Sequence, residues 1–360
     1  MAAQHQSKAK VVLFKTVLVL VAATFACGIL ELGLRIKARY DRNRGAAAWQ
    51  DLQRAKPPKN DTQVHLGHII HVSPYPDIVY QLWPNLSVTF LNSPLTTDAE
   101  GFRITPGSDA RTDAYRIVGL GDSVMFGWGV ADHETYLARL CARLQNENPE
   151  QAVHVLNTAV PGYNTVMELA TLRERALRYA PDLVLIHYVE NDLDLPKFIL
   201  ERDSSVRLTH SYLLAAISKC RGGAMRTAPL DSLVRTPDEV PRRYRHMVGQ
   251  DACRRALREL HRLAAEHTFK IAVITNWSAP PHVRTVTDQL GIPLIELGGT
   301  IRAYREAHHI TEYGGSALTI SKEDPHFSAL AHELVAQTIF ERLTEWKLVP
   351  AREPKKPRSE

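Results

Sequence analysis

Two short stretches, far apart in the chain, carry the residues from which chemistry can be built. Residues 119–129 read Gly-Leu-Gly-Asp-Ser-Val-Met-Phe-Gly-Trp-Gly and follow directly on the apolar run 115–120. Asp324-Pro325-His326 stands far downstream. A glycine-flanked serine just past a strand presents its hydroxyl at the rim of a sheet. That hydroxyl is a weak nucleophile until a neighbouring base takes its proton. Imidazole is the side chain suited to the task near neutral pH, and a carboxylate two residues away can hold it in place. Taken singly, each signal has a plainer reading. Asp122 and Ser123 are both good helix caps, Asn191-Asp192 is also a turn signal, and a lone His326 needs no partner. Together they ask whether the fold brings them to one place.

The elements that must do so are legible from 115 onward. Strands are expected at 116–120, 153–157, 183–189, 270–275 and 293–297. Helices are expected at 135–145, 166–179, 251–267, 283–290 and 329–346. Strands alternating with helices imply a parallel sheet covered on both faces. The strand stretches are nearly continuous in Val, Ile and Leu, as burial on both sides requires. Ligands of such sheets bind beyond the carboxyl ends of the strands. Ser123 follows the first of these strands, Gly162 the second, Asn191 the third, and His326 precedes the last helix. Four separated segments can therefore meet on one rim without strain.

Gly121-Asp122-Ser123, Gly162, Asn191 and His326 resemble, in order and approximate spacing, the Ser-Gly-Asn-His hydrolases, also called the GDSL esterase/lipase superfamily. The likeness covers about 115–345. Residues 157–165 (Asn-Thr-Ala-Val-Pro-Gly-Tyr-Asn-Thr) look like the family's second block, Pro181-Asp182-Leu183-Val184 leads into the third, and 324–332 look like the last. Asp98-Ala99-Glu100-Gly101-Phe102-Arg103 resembles an element upstream of this domain in membrane-anchored bacterial members. The resemblance implies an α/β fold: a three-layer α/β/α, doubly wound parallel sheet of flavodoxin-like order. An N-terminal transmembrane helix is read from the apolar run near the start, and a small β-rich extension from the short apolar stretches 69–72, 78–80 and 87–90. The resemblance also implies roles. Ser123 attacks an ester carbonyl, and His326 takes its proton and returns it to the leaving alcohol. Asp324 holds the imidazole, with Glu323, at the family's other common offset, in reserve. The oxyanion is met by the backbone N–H groups of Ser123 and Gly162 and the side-chain amide of Asn191, each such donor typically worth ~3 kcal/mol in the transition state. The expected reaction removes or moves a small acyl group, such as acetyl, on a glycan, lipid or other ester. Water as acceptor gives hydrolysis and a bound hydroxyl gives transfer. No metal or organic cofactor is needed.

The expected division is 1–45 as membrane anchor and flank, and 46–110 as linker and small β-rich extension. The hydrolase domain follows at 111–350, interrupted at 193–250 by an Arg- and Pro-rich insertion, and 351–360 is a basic disordered tail. The insertion reads equally as a lid or as a surface excursion. Residues 16–30 are uncharged and, apart from Thr16 and Thr24, apolar. Snorkelling of Lys15 and Glu31 brings the segment near the ~20 residues a bilayer requires. A signal anchor is favoured over a cleaved signal peptide, because Thr24-Phe25-Ala26 is a poor cleavage site, and over a buried soluble helix. Charge counting alone, with Arg35, Lys37, Arg39, Arg42 and Arg44 after the segment, would place the rest in the cytoplasm. The habit of the family points the other way, to an extracytoplasmic, periplasmic domain.

The net charge of +5 (44 basic less 39 acidic residues) gathers largely at the two ends, and no basic stripe is interleaved with aromatics. Nucleic acid is not an expected partner. The four cysteines form no Cys-x-x-Cys. Cys220 and Cys253 as a disulfide, or as two free thiols, both stay open. His65, His68 and His71 have a metal-like density, but neither a finger nor one helix face fits their spacing, and Gly67 disfavours helix. They read as surface or strand histidines. His332-Glu333 lacks the second histidine of a zinc-protease helix, and His187 reads as a satisfied core or rim residue. Trp128 and Phe126 are candidates for the acyl pocket wall, although packing is the commoner use of such rings. Asn60, Asn85 and Asn276 begin glycosylation triplets that matter only in a eukaryotic secretory setting. Two rivals remain: a non-catalytic glycan-binding or scaffold module of an envelope assembly, and a long-chain lipase, which the arginine-rich insertion fits poorly.

Overall fold

In the computed structural model, residues 2–196, 198–199, 211–214, 217 and 240–350 are described. Cys220, most of the insertion and the basic tail lie outside them. The described residues group into two compact units, one from those up to 49 with those between 197 and 233, the other from the rest.

In the first unit the dominant element is helix α1 (Ala2–Gln53). Its stretch Phe14–Tyr40 contains an 18-residue window of mean hydropathy 2.3 and has the length and composition to cross a bilayer. Glu31 on this helix pairs with Arg35 (2.8 Å). It also accepts the backbone N–H groups of Tyr212 (3.1 Å) and Leu213 (2.7 Å). The linker expected from residue 46 begins instead as helix. The run Ala46-Ala47-Ala48 consists of the strongest helix former, so α1 continues to Gln53, and Pro57-Pro58 keeps helix from resuming.

The second unit opens with short strands: β1 (Gln63–Val64), β2 (Ile70–Val72), β3 (Tyr80–Leu82), β4 (Ser87–Phe90) and β5 (Ser93–Thr96). β1, β4 and β5 form one small sheet, and β2 pairs antiparallel with β3. Contrary to the reading of Gly67 as a helix breaker, Leu66–Ile69 forms one helical turn, α2. Over so few residues the propensity cost of one glycine is below ~1 kcal/mol, and the stacked rings of His65 and His68 (centroids 3.6 Å apart) close the turn. His71 stacks on Trp83 at 4.1 Å. Among the described residues no group of three or more His, Cys, Asp or Glu could hold a metal ion.

The main sheet contains β6 (Tyr115–Gly121), β7 (Val153–Asn157), β8 (Leu183–Tyr188), β9 (Lys270–Thr275) and β10 (Leu294–Glu296). Every pairing is parallel and the order is β10-β9-β8-β6-β7. All six residues of β8 are buried, as a central strand covered on both faces must be. The order reverses at β6, so the end of β6 is the topological switch point where crevices open in such sheets. The flanking helices are α3 (Ser123–Phe126), α4 (Tyr136–Glu147), α5 (Thr165–Thr171), α6 (Gln250–His267), α7 (Pro281–Leu290), α8 (Gly298–Ala307) and α9 (Ala329–Glu345). α9 packs on α4 and α8, and α6 packs on α5 and α7. Glu333 on α9 takes ion pairs from Arg139 and Arg143 of α4. The extension is stitched to the end of β7, where Arg103 N–H donates to the Asn157 carbonyl at 3.2 Å.

Candidate active site

Ser123 owes its position to two neighbours that lack or spend their side chains on the turn. A Cβ on Gly121 would lie 2.6 Å from that of Met125, so only glycine lets β6 turn directly into α3. Asp122 caps α3 by accepting the Val124 N–H at 2.9 Å, leaving Ser123 as the first helical residue. The first N–H groups of a helix have no intrahelical acceptor and point away from its end.

The imidazole arrives from the other end of the chain. His326 Nε2 lies 2.9 Å from Ser123 Oγ, and His326 Nδ1 lies 2.6 Å from Asp324 Oδ1. Asp324 also accepts the backbone N–H of His326 (3.1 Å), which locks the Asp-Pro-His turn on itself. Partial burial pushes the Asp324 carboxyl up. The hydrogen bonds from the His326 side chain and backbone and from Trp128 outweigh it and hold the carboxyl below its usual range. The side chain is thus a carboxylate at neutral pH, as an orienting partner of imidazole must be. Glu323 is exposed and takes its hydrogen bond from Ser321 Oγ at 3.2 Å.

Trp128, a candidate for the acyl wall, lies directly against the carboxylate and the imidazole. Its Nε1–H donates to Asp324 Oδ2 at 2.9 Å, and its ring stacks on His326, with centroids 5.1 Å apart at 24°. Phe126 is fully buried, edge-on to Phe90 and beneath the Arg103 guanidinium at 4.8 Å, so it belongs to the core. Arg103 itself is 2 % exposed. It pairs with Asp132 (2.8 Å) and donates to the carbonyls of Phe126, Gly127 and Val130 (2.8, 2.6 and 2.7 Å). It therefore holds the loop that presents Trp128. Nothing in the spacing of the sequence announced this; the one signal was the Asp98–Arg103 element standing upstream of the sheet.

Asn191 lies in a short helical turn, Glu190–Leu193, after β8. Its amide donates one hydrogen to Asp122 Oδ2 at 3.0 Å, which leaves the second free to point elsewhere. Asp122 is 1 % exposed; burial raises its carboxyl, and the bonds from Val124, Asn191 and Ser123 partly offset this. Gly162 follows β7 at φ +81°, where a Cβ would meet Pro196 Cγ at 2.9 Å and Tyr80 Oη at 3.0 Å. The sheet order sets Ser123 between these two, with Gly162 beyond the strand on one side and Asn191 beyond the strand on the other. All of the residues singled out for chemistry, with Asp324 rather than Glu323 on the imidazole, thus stand at the carboxyl edge of one sheet.

His187 and His332 are structural. His187 is buried between the Tyr136 hydroxyl and Asn276 Oδ1, each 2.9 Å away, and burial drops its pKa to about 4. His332 accepts the Tyr136 N–H at 3.2 Å, and burial drops it to about 3. Cys253 is a buried free thiol that receives a hydrogen bond from Thr165.

The model of the GDSL-like Lipase/Acylhydrolase family matches residues 120–334. No curated protein matches the chain. Among solved structures, TesA is 15% identical, with a TM-score of 0.40 over 65% of this chain and 99% of its own. Axe2, an acetylxylan esterase from Geobacillus stearothermophilus, is 15% identical, with a TM-score of 0.40 over 69% and 100%. A two-domain esterase (CEX) active on acetylated mannans is 15% identical, with a TM-score of 0.44 over 68% and 53%. The family match spans more than half of the chain and includes Ser123, Gly162, Asn191 and His326, so the protein belongs to the GDSL-like lipase/acylhydrolase family and is a carboxylic ester hydrolase.

Proposed function

We propose that the protein is a membrane-tethered serine esterase that removes a small acyl group, such as acetyl, from a glycan, lipid or other ester through an acyl-enzyme. Ser123 Oγ attacks the acyl carbonyl while His326 Nε2 takes its proton. The carbonyl oxygen becomes an oxyanion, to which the N–H groups of Ser123 and Gly162 and the free amide hydrogen of Asn191 donate. His326 then gives its proton to the departing alcohol. Water, deprotonated by the same imidazole, releases the acid. Asp324 keeps Nδ1 protonated and offsets the imidazolium charge formed in each half. Transfer to a bound hydroxyl uses the same machinery with the acceptor changed.

The observation that carries this reading is the relay Ser123 Oγ–His326 Nε2 (2.9 Å), His326 Nδ1–Asp324 Oδ1 (2.6 Å) at the switch point of the sheet. The Phe14–Tyr40 helix supports the tether. The test is a fluorophosphonate probe together with p-nitrophenyl acetate on the full chain in detergent. Labelling at Ser123 and turnover, both lost in Ser123→Ala, are expected. A folded chain that neither labels nor turns over would leave the scaffold reading. A panel of acetylated sugars and acyl chains then ranks substrates. For the tether, a phosphatase fused at residue 350 is expected to be active outside the cytoplasm; an inactive fusion would reverse the orientation.

A further inference from the structure

Gly162 sits in the turn Val160-Pro161-Gly162-Tyr163, closed by the Tyr163 N–H donating to the Val160 carbonyl at 3.1 Å. With proline second and glycine third at φ +81°, the turn is type II. Type I and type II turns differ by a flip of the central peptide, here the one joining Pro161 to Gly162. That flip would reverse the Gly162 N–H, and glycine offers little steric resistance to it. The peptide is planar and trans, so its C=O and N–H point in opposite directions, and whatever fixes one fixes the other.

The carbonyl is fixed from outside the main sheet. Tyr80, the first residue of β3 in the N-terminal extension, donates its hydroxyl to the Pro161 oxygen at 2.7 Å. Tyr163 answers by donating its own hydroxyl to the Tyr80 carbonyl at 2.5 Å, and the two rings meet edge to face at 5.4 Å. Both side chains are at most 1 % exposed, so water does not compete for these bonds. Burial also drives the Tyr80 hydroxyl well above its ordinary pKa, which keeps it a donor. The residue before it adds a second mark. Val79 holds φ +64°, with the Tyr80 N–H bonded to the Ile78 carbonyl at 2.7 Å. A β-branched residue in that conformation is strained by on the order of 1–3 kcal/mol, and such strain persists where the surroundings demand one geometry.

We propose that Tyr80 is a positioning residue for the reaction: by holding the Pro161 carbonyl it selects the type II turn and aims the Gly162 N–H at the oxyanion. The hydrogen bond it donates also polarises that peptide and strengthens the N–H as a donor. The small β-rich extension thereby completes the oxyanion site. This rests on the esterase reading given above.

The experiment compares the full-length wild-type chain with Tyr80→Phe on p-nitrophenyl acetate, with phenylboronic acid as a tetrahedral mimic. A complete oxyanion donor is worth about 10²–10³-fold in kcat, so a misaimed one is expected to lower kcat about 10–100-fold. KM should be nearly unchanged, and boronate affinity should fall in step with kcat/KM. Wild-type kcat and boronate affinity in a folded Tyr80→Phe chain would overturn the proposal, and so would a loss confined to KM. Tyr163→Phe removes the bond to the Tyr80 carbonyl, together with the hydroxyl's contact with Thr171, and leaves the Tyr80 hydroxyl itself in place. It is expected to give a smaller kcat loss of the same kind, and it decides the matter if Tyr80→Phe does not fold; an unchanged kcat there overturns the proposal. A wild-type chain without turnover would remove the esterase reading itself, and this inference with it, whereas an active wild type with an unaffected Tyr80→Phe removes this inference alone.

Discussion

The indole of Trp128 donates to Asp324 Oδ2 at 2.9 Å while its ring lies stacked on His326. One side chain therefore fixes the carboxylate by hydrogen bonding and the imidazole by contact. Asp324→Asn, which spoils the tautomer of His326, is expected to lower kcat about 10³–10⁴-fold with the fold intact. Trp128→Phe keeps most of the ring contact and loses the N–H. A hydrogen bond to a charged group contributes roughly 1.5–3 kcal/mol, so a kcat loss of about 10-fold is expected, set toward the low end by the partial exposure of the pair. Steady-state kinetics with a melting curve checks both. A Trp128→Phe enzyme at full kcat would return Trp128 to the role of a pocket wall.

Asn191 spends one amide hydrogen on Asp122, and the proposed mechanism assigns the other to the oxyanion. Asn191→Ala is expected to cost about 10²–10³-fold in kcat with KM little changed. Asn191→Asp, of the same shape but offering only acceptors, should be no better. Recovery of activity in the aspartate variant would show that the side chain serves Asp122 alone.

Arg103 is the buried tie between the extension and the loop that carries Trp128. Arg103→Met removes the cation from Asp132, which keeps only its bonds from Thr96, and takes a donor from three carbonyls. Breaking a buried pair in this way costs about 3–5 kcal/mol, which a denaturant titration of the full chain would read. A loss under about 1 kcal/mol would mean that the loop is held by something else.

His332 has a folded-state pKa of about 3, against an ordinary value of 6.5. Its burial is the first cause, followed by the charges of Arg103 and Arg139. The group is neutral in the fold and takes up a proton on unfolding below pH 6.5. The stability it supports is full above 6.5 and is lost as pH falls toward 3, at about 1.4 kcal/mol per pH unit. His187, dropped to about 4, acts in the same direction. His332→Gln, which can still accept from the Tyr136 N–H, should flatten the acid limb of a melting-temperature profile between pH 6.5 and 4. A parallel profile would refute the assignment.

Glu168 has the opposite sign. Its carboxyl is fully buried, neither oxygen has a protein hydrogen bond, and burial together with the charges of Asp192 and Asp122 raises its pKa well above the ordinary 4.5. The fold holds it protonated where the unfolded chain would ionise it, so it destabilises increasingly as pH rises above 4.5. Glu168→Gln should be more stable than wild type near pH 8 and should converge with it toward pH 4.5. A pH-independent difference between the two melting curves would show that Glu168 does not change charge on unfolding.

The alternation of apolar runs and amphipathic stretches from 115 onward was enough to place the strands of the main sheet. Residues 153–157 and 270–275 coincide end for end with β7 and β9, because both are short valine- and isoleucine-rich runs between clear breaks. α8 has no clear local signal, because its opening Gly298-Gly299 looks like a turn and its helical start is decided by packing beneath Trp277. The helical continuation of α1 past residue 45 was masked by the Pro-rich stretch that follows.

Sequence alone determined which residues could do chemistry and that strand ends would present them, since side-chain type and hydrophobic period are local properties written in the order of residues. It also left Asp324 and Glu323 as competing partners for His326. Tertiary structure decided that choice, because it depends on where the 321–326 turn closes. It decided too that Asp122 orients Asn191, that Trp128 braces Asp324 and His326, and that Arg103 and Tyr80 reach into the site from the extension. These are contacts between segments far apart in the chain. Their geometry is set by how sheets and loops pack, and no spacing along the chain encodes it.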